Sequence, residues 1–167
     1  MPPVGLGHRS VPARLVSCLA LAVYLVWLAG QAFLPFPPAG TASAEAGELL
    51  DHVRLVPLAS IRELVAACPQ WQSLRVLVGN VALFVPIGLL LPMALPRLRS
   101  WKRALAAGLA TGVAIELGQL GLSAAAAFPY RFVGTDDVLL NAAGLVAGFG
   151  VWRACARNAR PVTRARD

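Results

Sequence analysis

Four long apolar stretches alternate with short polar ones along the chain, at about residues 15–34, 76–95, 104–122 and 138–152. Each reaches or approaches the ~20 residues an α-helix needs to cross a bilayer core. Because backbone polar groups in lipid must be satisfied within the segment, the pattern predicts an all-α, polytopic helical bundle with about four transmembrane helices. The fourth stretch is the shortest and is rich in glycine. Pro86 and Pro92 in the second remove backbone donors and predict kinks. Gly108 and Gly112 in the third and Gly144 and Gly148 in the fourth repeat at four residues, a spacing that lets helix backbones approach. It predicts that these two helices pack on each other, or on a second copy in a homo-oligomer.

The polar residues between the stretches carry the topology. Arg9 and Arg14 precede the first span, Arg97, Arg99, Lys102 and Arg103 join the second to the third, and Arg153, Arg157, Arg160, Arg164 and Arg166 follow the fourth. The other two connections mix signs, with Glu45, Glu48, Asp51 and Glu63 against Arg54, Arg62 and Arg75, then Asp136 and Asp137 against Arg131. The positive-inside rule then places both termini and the 97–103 turn in the cytoplasm and the other two loops outside. The expected organisation is a basic N-terminus (1–14), a membrane domain (15–152) with an outer loop at 35–75, and a basic tail (153–167). Arg9, Arg14 and the Ala42-Ser43-Ala44 triplet also suit a secretory signal, but a 20-residue apolar run exceeds the roughly 7–15 of such a signal, so a retained span is expected. Within the outer loop, Ser60 and Glu63 have capping-box spacing for a short interfacial helix.

Composition agrees: 57% of the 167 residues are hydrophobic, 14% are charged, and mean hydropathy is +0.66. The net charge of +7 is spent on flanking the spans and meeting anionic lipid, so no nucleic-acid partner is expected. Fourteen arginines to one lysine, with abundant alanine, suggest a GC-rich bacterial coding bias. Cys18, Cys68 and Cys155 fall at different depths and suggest neither a disulfide framework nor a metal site. No cofactor is expected.

Against this background "VAIELGQL" (113–120) stands out, because Glu116 and Gln119 sit inside an otherwise apolar span. An ionisable group at that depth is costly and faces the bundle interior or a wet cavity. Glu116 is 13 residues beyond Arg103, or roughly 20 Å at 1.5 Å per residue, past the midplane and toward the outside. Asn80 lies five residues from Arg75, and Asn141 four from Asp137, so both are expected at the same level. Asp137 and Asn141 share a helical face, and Gly144 continues it, leaving room beside the amide. Arg131 in the short outer loop is placed to pair with Asp137, Asp136 or Glu116. The expectation is an outward-facing polar binding site of Asn80, Glu116, Gln119, Arg131, Asp136, Asp137 and Asn141, made by three spans and one loop.

The blocks "NVALFVPIGLLLP" (80–92), "IELGQL" (115–120) and "RFVGTDDVLLNAAG" (131–144) resemble, in order and spacing, the signature blocks of the VanZ-like family of bacterial membrane proteins. The resemblance covers about residues 50–152. It matches Asn80, Phe84, Pro86 and Gly88 to the first block, Glu116 and Gln119 to the second, and Arg131, Asp137, Asn141 and Gly144 to the third. "RLVPL" (54–58) departs from the family's Asn-Leu-Ile-Pro-Phe-like segment at Arg54 and Leu58, and Gly134 stands where an acidic residue is common. The resemblance implies a multi-pass plasma-membrane protein of the cell envelope. Its named member is associated with resistance to glycopeptide antibiotics, notably teicoplanin.

Three function classes follow. The first is a non-enzymatic envelope factor that binds membrane lipid, a lipid-linked cell-wall precursor, a lipoglycopeptide or a partner protein at the outer site. The second is an intramembrane enzyme with Glu116 and Asp137 as catalytic acid and base candidates. Ser60, Ser73, Ser123, Thr111 and Thr135 have no recognisable His partner, and His8 and His52 are isolated, which speaks against a serine-type nucleophile. The third is a small transporter or pore, for which no inverted repeat is evident. Binding ranks first.

Overall fold

The computed structural model describes residues 11–34, 53–59, 62, 71–126 and 133–158. The N-terminal basic segment before Val11, most of the outer loop with Ser60, Glu63 and Cys68, the loop residue Arg131 and the tail beyond Asn158 lie outside the described residues. Four long helices dominate: α1 (Val11–Phe33), α2 (Trp71–Ala94), α3 (Trp101–Ala125) and α4 (Thr135–Asn158). All four are long and apolar enough to cross a membrane. Each extends beyond the apolar stretch that predicts it, because polar end turns continue the helix where hydropathy no longer marks it. In α4 these are Asp136 and Asp137 in the first turn and Arg157 in the last, signs that suit the positive and negative ends of the helix dipole.

Local chemistry sets the turn between α2 and α3. α2 runs unbroken through Pro86 and Pro92 and ends at Leu95, whose extended backbone (φ −121°, ψ 88°) leads into a 3-10 turn at Pro96–Leu98. A residue before proline is driven out of helical geometry, so Pro96 stops α2. α3 restarts at Ser100, whose side chain accepts a bond from the Arg103 N–H at 3.4 Å. Arginines meet carbonyls left open at the end of α2: Arg99 Nε donates to Pro92 O at 2.9 Å, and Arg14 Nε reaches across from α1 to Ala94 O at 3.2 Å. This serves the last turn of a helix, which lacks acceptors' partners within itself. Arg99 lies 5.6 Å from the Trp152 ring centre and Arg153 6.0 Å from that of Trp101, so the basic residues and two tryptophans form one end of the bundle.

α4 is the central helix, packed between α2, to which it runs parallel, and α3, to which it runs antiparallel. Gly144 and Gly148 receive α2: a methyl group added there would stand 2.1 Å from Val81 O and 2.0 Å from Val85 O. Gly88 of α2 answers, with Leu145 O 1.9 Å from the site of its missing Cβ. The glycines of α3 face the other side of α4, Gly108 against Ala142 and Gly112 against Val138. The third and fourth spans therefore do pack together, but their glycine pairs do not meet. Gly144 leaves no room beside Asn141 either, because the Val81 carbonyl fills it.

The core between α2 and α4 holds Phe84, Ile87, Leu145 and Phe149, with Leu21 and Leu28 from α1. α1 lies on α2, tied by the Tyr24 hydroxyl donating to Leu83 O at 2.8 Å. Its opposite face exposes Leu15, Val16, Leu19, Val23, Val26 and Trp27. Polar groups are buried while apolar ones face outward: Ser17, Glu116, Gln119, Ser123, Asp136 and Asn141 are all inside. That inversion suits lipid as the surrounding solvent.

Candidate functional site

Helix register brings the polar residues together. The pairs Gly108–Ala142 and Gly112–Val138 continue the α3–α4 register to Glu116 and Gly134, where the Gly134 N–H donates to Glu116 Oε2 at 2.8 Å. α4 thus starts beside the middle of α3, which runs on to Ala125, nine residues and about 14 Å of helical rise beyond Glu116. Glu116 sits at the N-terminus of α4, where open N–H groups and the helix dipole favour a carboxylate.

An open helix start inside a bundle leaves backbone groups that need partners. A short parallel bridge supplies them. Val53–Arg54 (β1) pairs with Val133–Gly134 (β2), Val53 opposite Val133 and Arg54 opposite Gly134. The chain then turns through Pro57 to Leu58, whose φ of 63° is left-handed, a conformation costing roughly 1–2 kcal/mol for a residue with a Cβ. The Leu58 N–H donates to Asp136 Oδ1, and Arg62 N–H closes the turn on Leu58 O at 2.9 Å. The "RLVPL" segment is therefore part of the site's scaffold despite its altered residues.

Below the bridge lies a cavity of about 400 Å³ lined by Leu28, Gln31 and Ala32 of α1, Asn80, Leu83 and Phe84 of α2, Ile115, Glu116 and Gln119 of α3, and Asp137 and Asn141 of α4. Asn80 Nδ2 donates to Asp137 Oδ1, joining α2 to α4. Gln119 Nε2 donates to Ala32 O at 2.9 Å, joining α3 to α1. Beside it, the Phe33 ring stands 3.0 Å from where Gly118 would carry a Cβ. Asn141 is 5% exposed, and its amide reaches the cavity without a hydrogen-bond partner among the described residues.

Of the predicted residues, Asn80, Glu116, Gln119, Asp137 and Asn141 share the cavity. Asp136 does not line it; one residue on a helix turns a side chain by about 100°, and Asp136 is buried toward Leu58 instead. Arg131 lies outside the described residues. Sequence reasoning missed α1 as a fourth wall, together with Val53, Val133 and Leu58. Gln31 near the end of an apolar span was a usable signal; Leu28 and the Ala32 carbonyl gave none. Among the described residues no group of His, Cys, Asp and Glu is arranged to hold a metal ion.

Span-length helices with apolar exteriors, closing on a buried polar cavity, define a multi-pass α-helical membrane protein. Its sequence matches the VanZ/LLP1 family over residues 21–156, most of the chain, and the protein belongs to the VanZ-like family. No curated protein and no solved structure matches it.

Proposed function

We propose that this protein binds the polar head of a lipid-linked or lipophilic molecule in the Glu116–Asp137 cavity, as a non-enzymatic factor of the bacterial cell envelope. In this reading the first span is retained, both termini are cytoplasmic, and the cavity opens toward the outer leaflet of the plasma membrane. The observation that carries it is the cavity's two-sided lining: two carboxyls and four amides stand beside Leu28, Leu83, Phe84 and Ile115. Interhelical polar contacts in membranes contribute only about 0.6 kcal/mol on average, too little to account for placing two carboxyls there as glue. An intramembrane ionisable residue commonly marks a binding or transport path.

The test is a deletion strain challenged with teicoplanin-type glycopeptides and other envelope stresses, complemented by wild type, Glu116→Gln or Asp137→Asn at matched membrane levels. The reading predicts that wild type restores the phenotype and both variants fail. Full complementation by both variants would remove the cavity from the function. Turnover of a lipid or cell-wall precursor by purified wild type, lost in the same variants, would replace binding with catalysis.

A further inference from the structure

The ionisable groups among the described lining residues of the cavity are both carboxyls. Asn80 and Gln119 each commit an amide donor, to Asp137 and to Ala32 O. Glu116 and Asp137 each commit one oxygen, to the Gly134 N–H and to Asn80. An ionised carboxylate only accepts, whereas an amide with one N–H committed keeps its second N–H as well as its carbonyl oxygen. What the cavity offers is therefore the second oxygen of each carboxyl together with amide oxygens and the amides' remaining N–H groups, and among the described lining residues no Lys, Arg or His balances the two carboxyls. Asn141, buried and without a partner among the described residues, is a further polar group aimed at whatever fills the space.

From this we infer that the cavity takes a primary ammonium head group carried on an acyl or alkyl chain. An ammonium offers three donors and no acceptor, which complements the two carboxyl oxygens and an amide oxygen. A phosphate or pyrophosphate head offers more acceptors to a site already rich in them, and its charge repels both carboxylates. The cavity also offers apolar surface to such a chain: Leu28 and Ile115 line it, beside the α1–α3 contacts Gln119–Ala32 and Phe33–Gly118 near the end of α1. This inference rests on the binding function proposed above.

Purified full-length protein in a polyoxyethylene detergent is titrated with dodecylamine, dodecanol and dodecyl phosphate, and its thermal unfolding midpoint is followed. Dodecylamine is expected to raise the midpoint and to bind about tenfold to hundredfold more tightly than dodecanol, the ratio that charge-assisted hydrogen bonds support. Dodecyl phosphate is expected to have no effect. Glu116→Gln and Asp137→Asn should each lower the dodecylamine affinity by about tenfold or more while leaving that of dodecanol unchanged. Equal effects of dodecylamine and dodecanol would overturn the ammonium assignment and leave amphiphile binding standing; no shift with any of the three would overturn both. These comparisons on wild type need no variant to fold. Repeating them in phosphatidylcholine nanodiscs with and without phosphatidylethanolamine separates the sources. Competition by phosphatidylethanolamine identifies a resident bilayer lipid, and its absence identifies an amine arriving from elsewhere.

Discussion

Replacing Gly148 by alanine puts a methyl carbon 2.0 Å from Val85 O, 2.9 Å from the Val85 carbonyl carbon and 3.0 Å from the Leu89 nitrogen, all backbone atoms. Close carbon–oxygen contacts settle near 3.3 Å, so α2 and α4 must separate by about 1.3 Å at this point. A gap of ~0.5–1 Å already forfeits a quarter to a half of each van der Waals well, and in lipid such packing is the main attraction between helices. The expected loss is about 2 kcal/mol: ~3 kcal/mol from the upper part of the overpacking range, less alanine's helical advantage of about 1 kcal/mol. Gly79 on α2 provides the control, because its added methyl meets no atom within 4 Å. Gly79→Ala should be neutral or stabilising by up to about 1 kcal/mol. The assay is reversible unfolding in mixed micelles, with Gly112→Ala as an intermediate case since its contacts start at 3.1 Å. If Gly148→Ala and Gly79→Ala fall within ~0.5 kcal/mol of each other, a difference typical of surface changes, the close α2–α4 crossing is wrong. The same crossing sets the Asn80–Asp137 contact, so the cavity would fall with it.

Asp136→Ala should free the Leu58 N–H and expose the amides of residues 53–59 to faster hydrogen exchange, at a cost of about 1–3 kcal/mol; unchanged exchange would contradict the anchor. Tyr24→Phe removes the 2.8 Å bond to Leu83 O and should cost about 0.6–1.5 kcal/mol, since that carbonyl keeps its position in α2; a larger loss in micelle unfolding would show that the tie holds α1 in place. In a protein with Cys18 and Cys68 changed to serine, an impermeant maleimide should label exposed Cys155 only after cells are opened. Labelling on intact cells would place the basic end outside.

The bundle was legible because lipid removes most alternatives: apolar length specifies helices, and arginine clusters specify which ends lie together. Depth counting from charged boundaries also brought Asn80, Glu116, Gln119, Asp137 and Asn141 to one level. Helix partners were harder. A glycine pair marks a close approach without naming the helix that approaches: the spacing pointed Gly144 and Gly148 to α3 or to a second copy, whereas α2 is the helix they receive.

The rest of the site is written in groups that carry no side-chain signature. Ala32 contributes a carbonyl and Gly134 an N–H, and every residue but proline could offer both. The β1–β2 bridge spans two residues on each side, too short for a period. Adjacent aspartates hid a division of labour, with Asp137 toward the cavity and Asp136 toward Leu58. That division follows from helical rotation once a start point for α4 is known.

Native mass spectrometry of protein extracted from its own membranes tests the central claim most directly. The account predicts that wild type retains one co-purified amphiphile and that Glu116→Gln combined with Asn141→Ala releases it while the bundle stays folded. An identical bound-lipid complement in both proteins would contradict it.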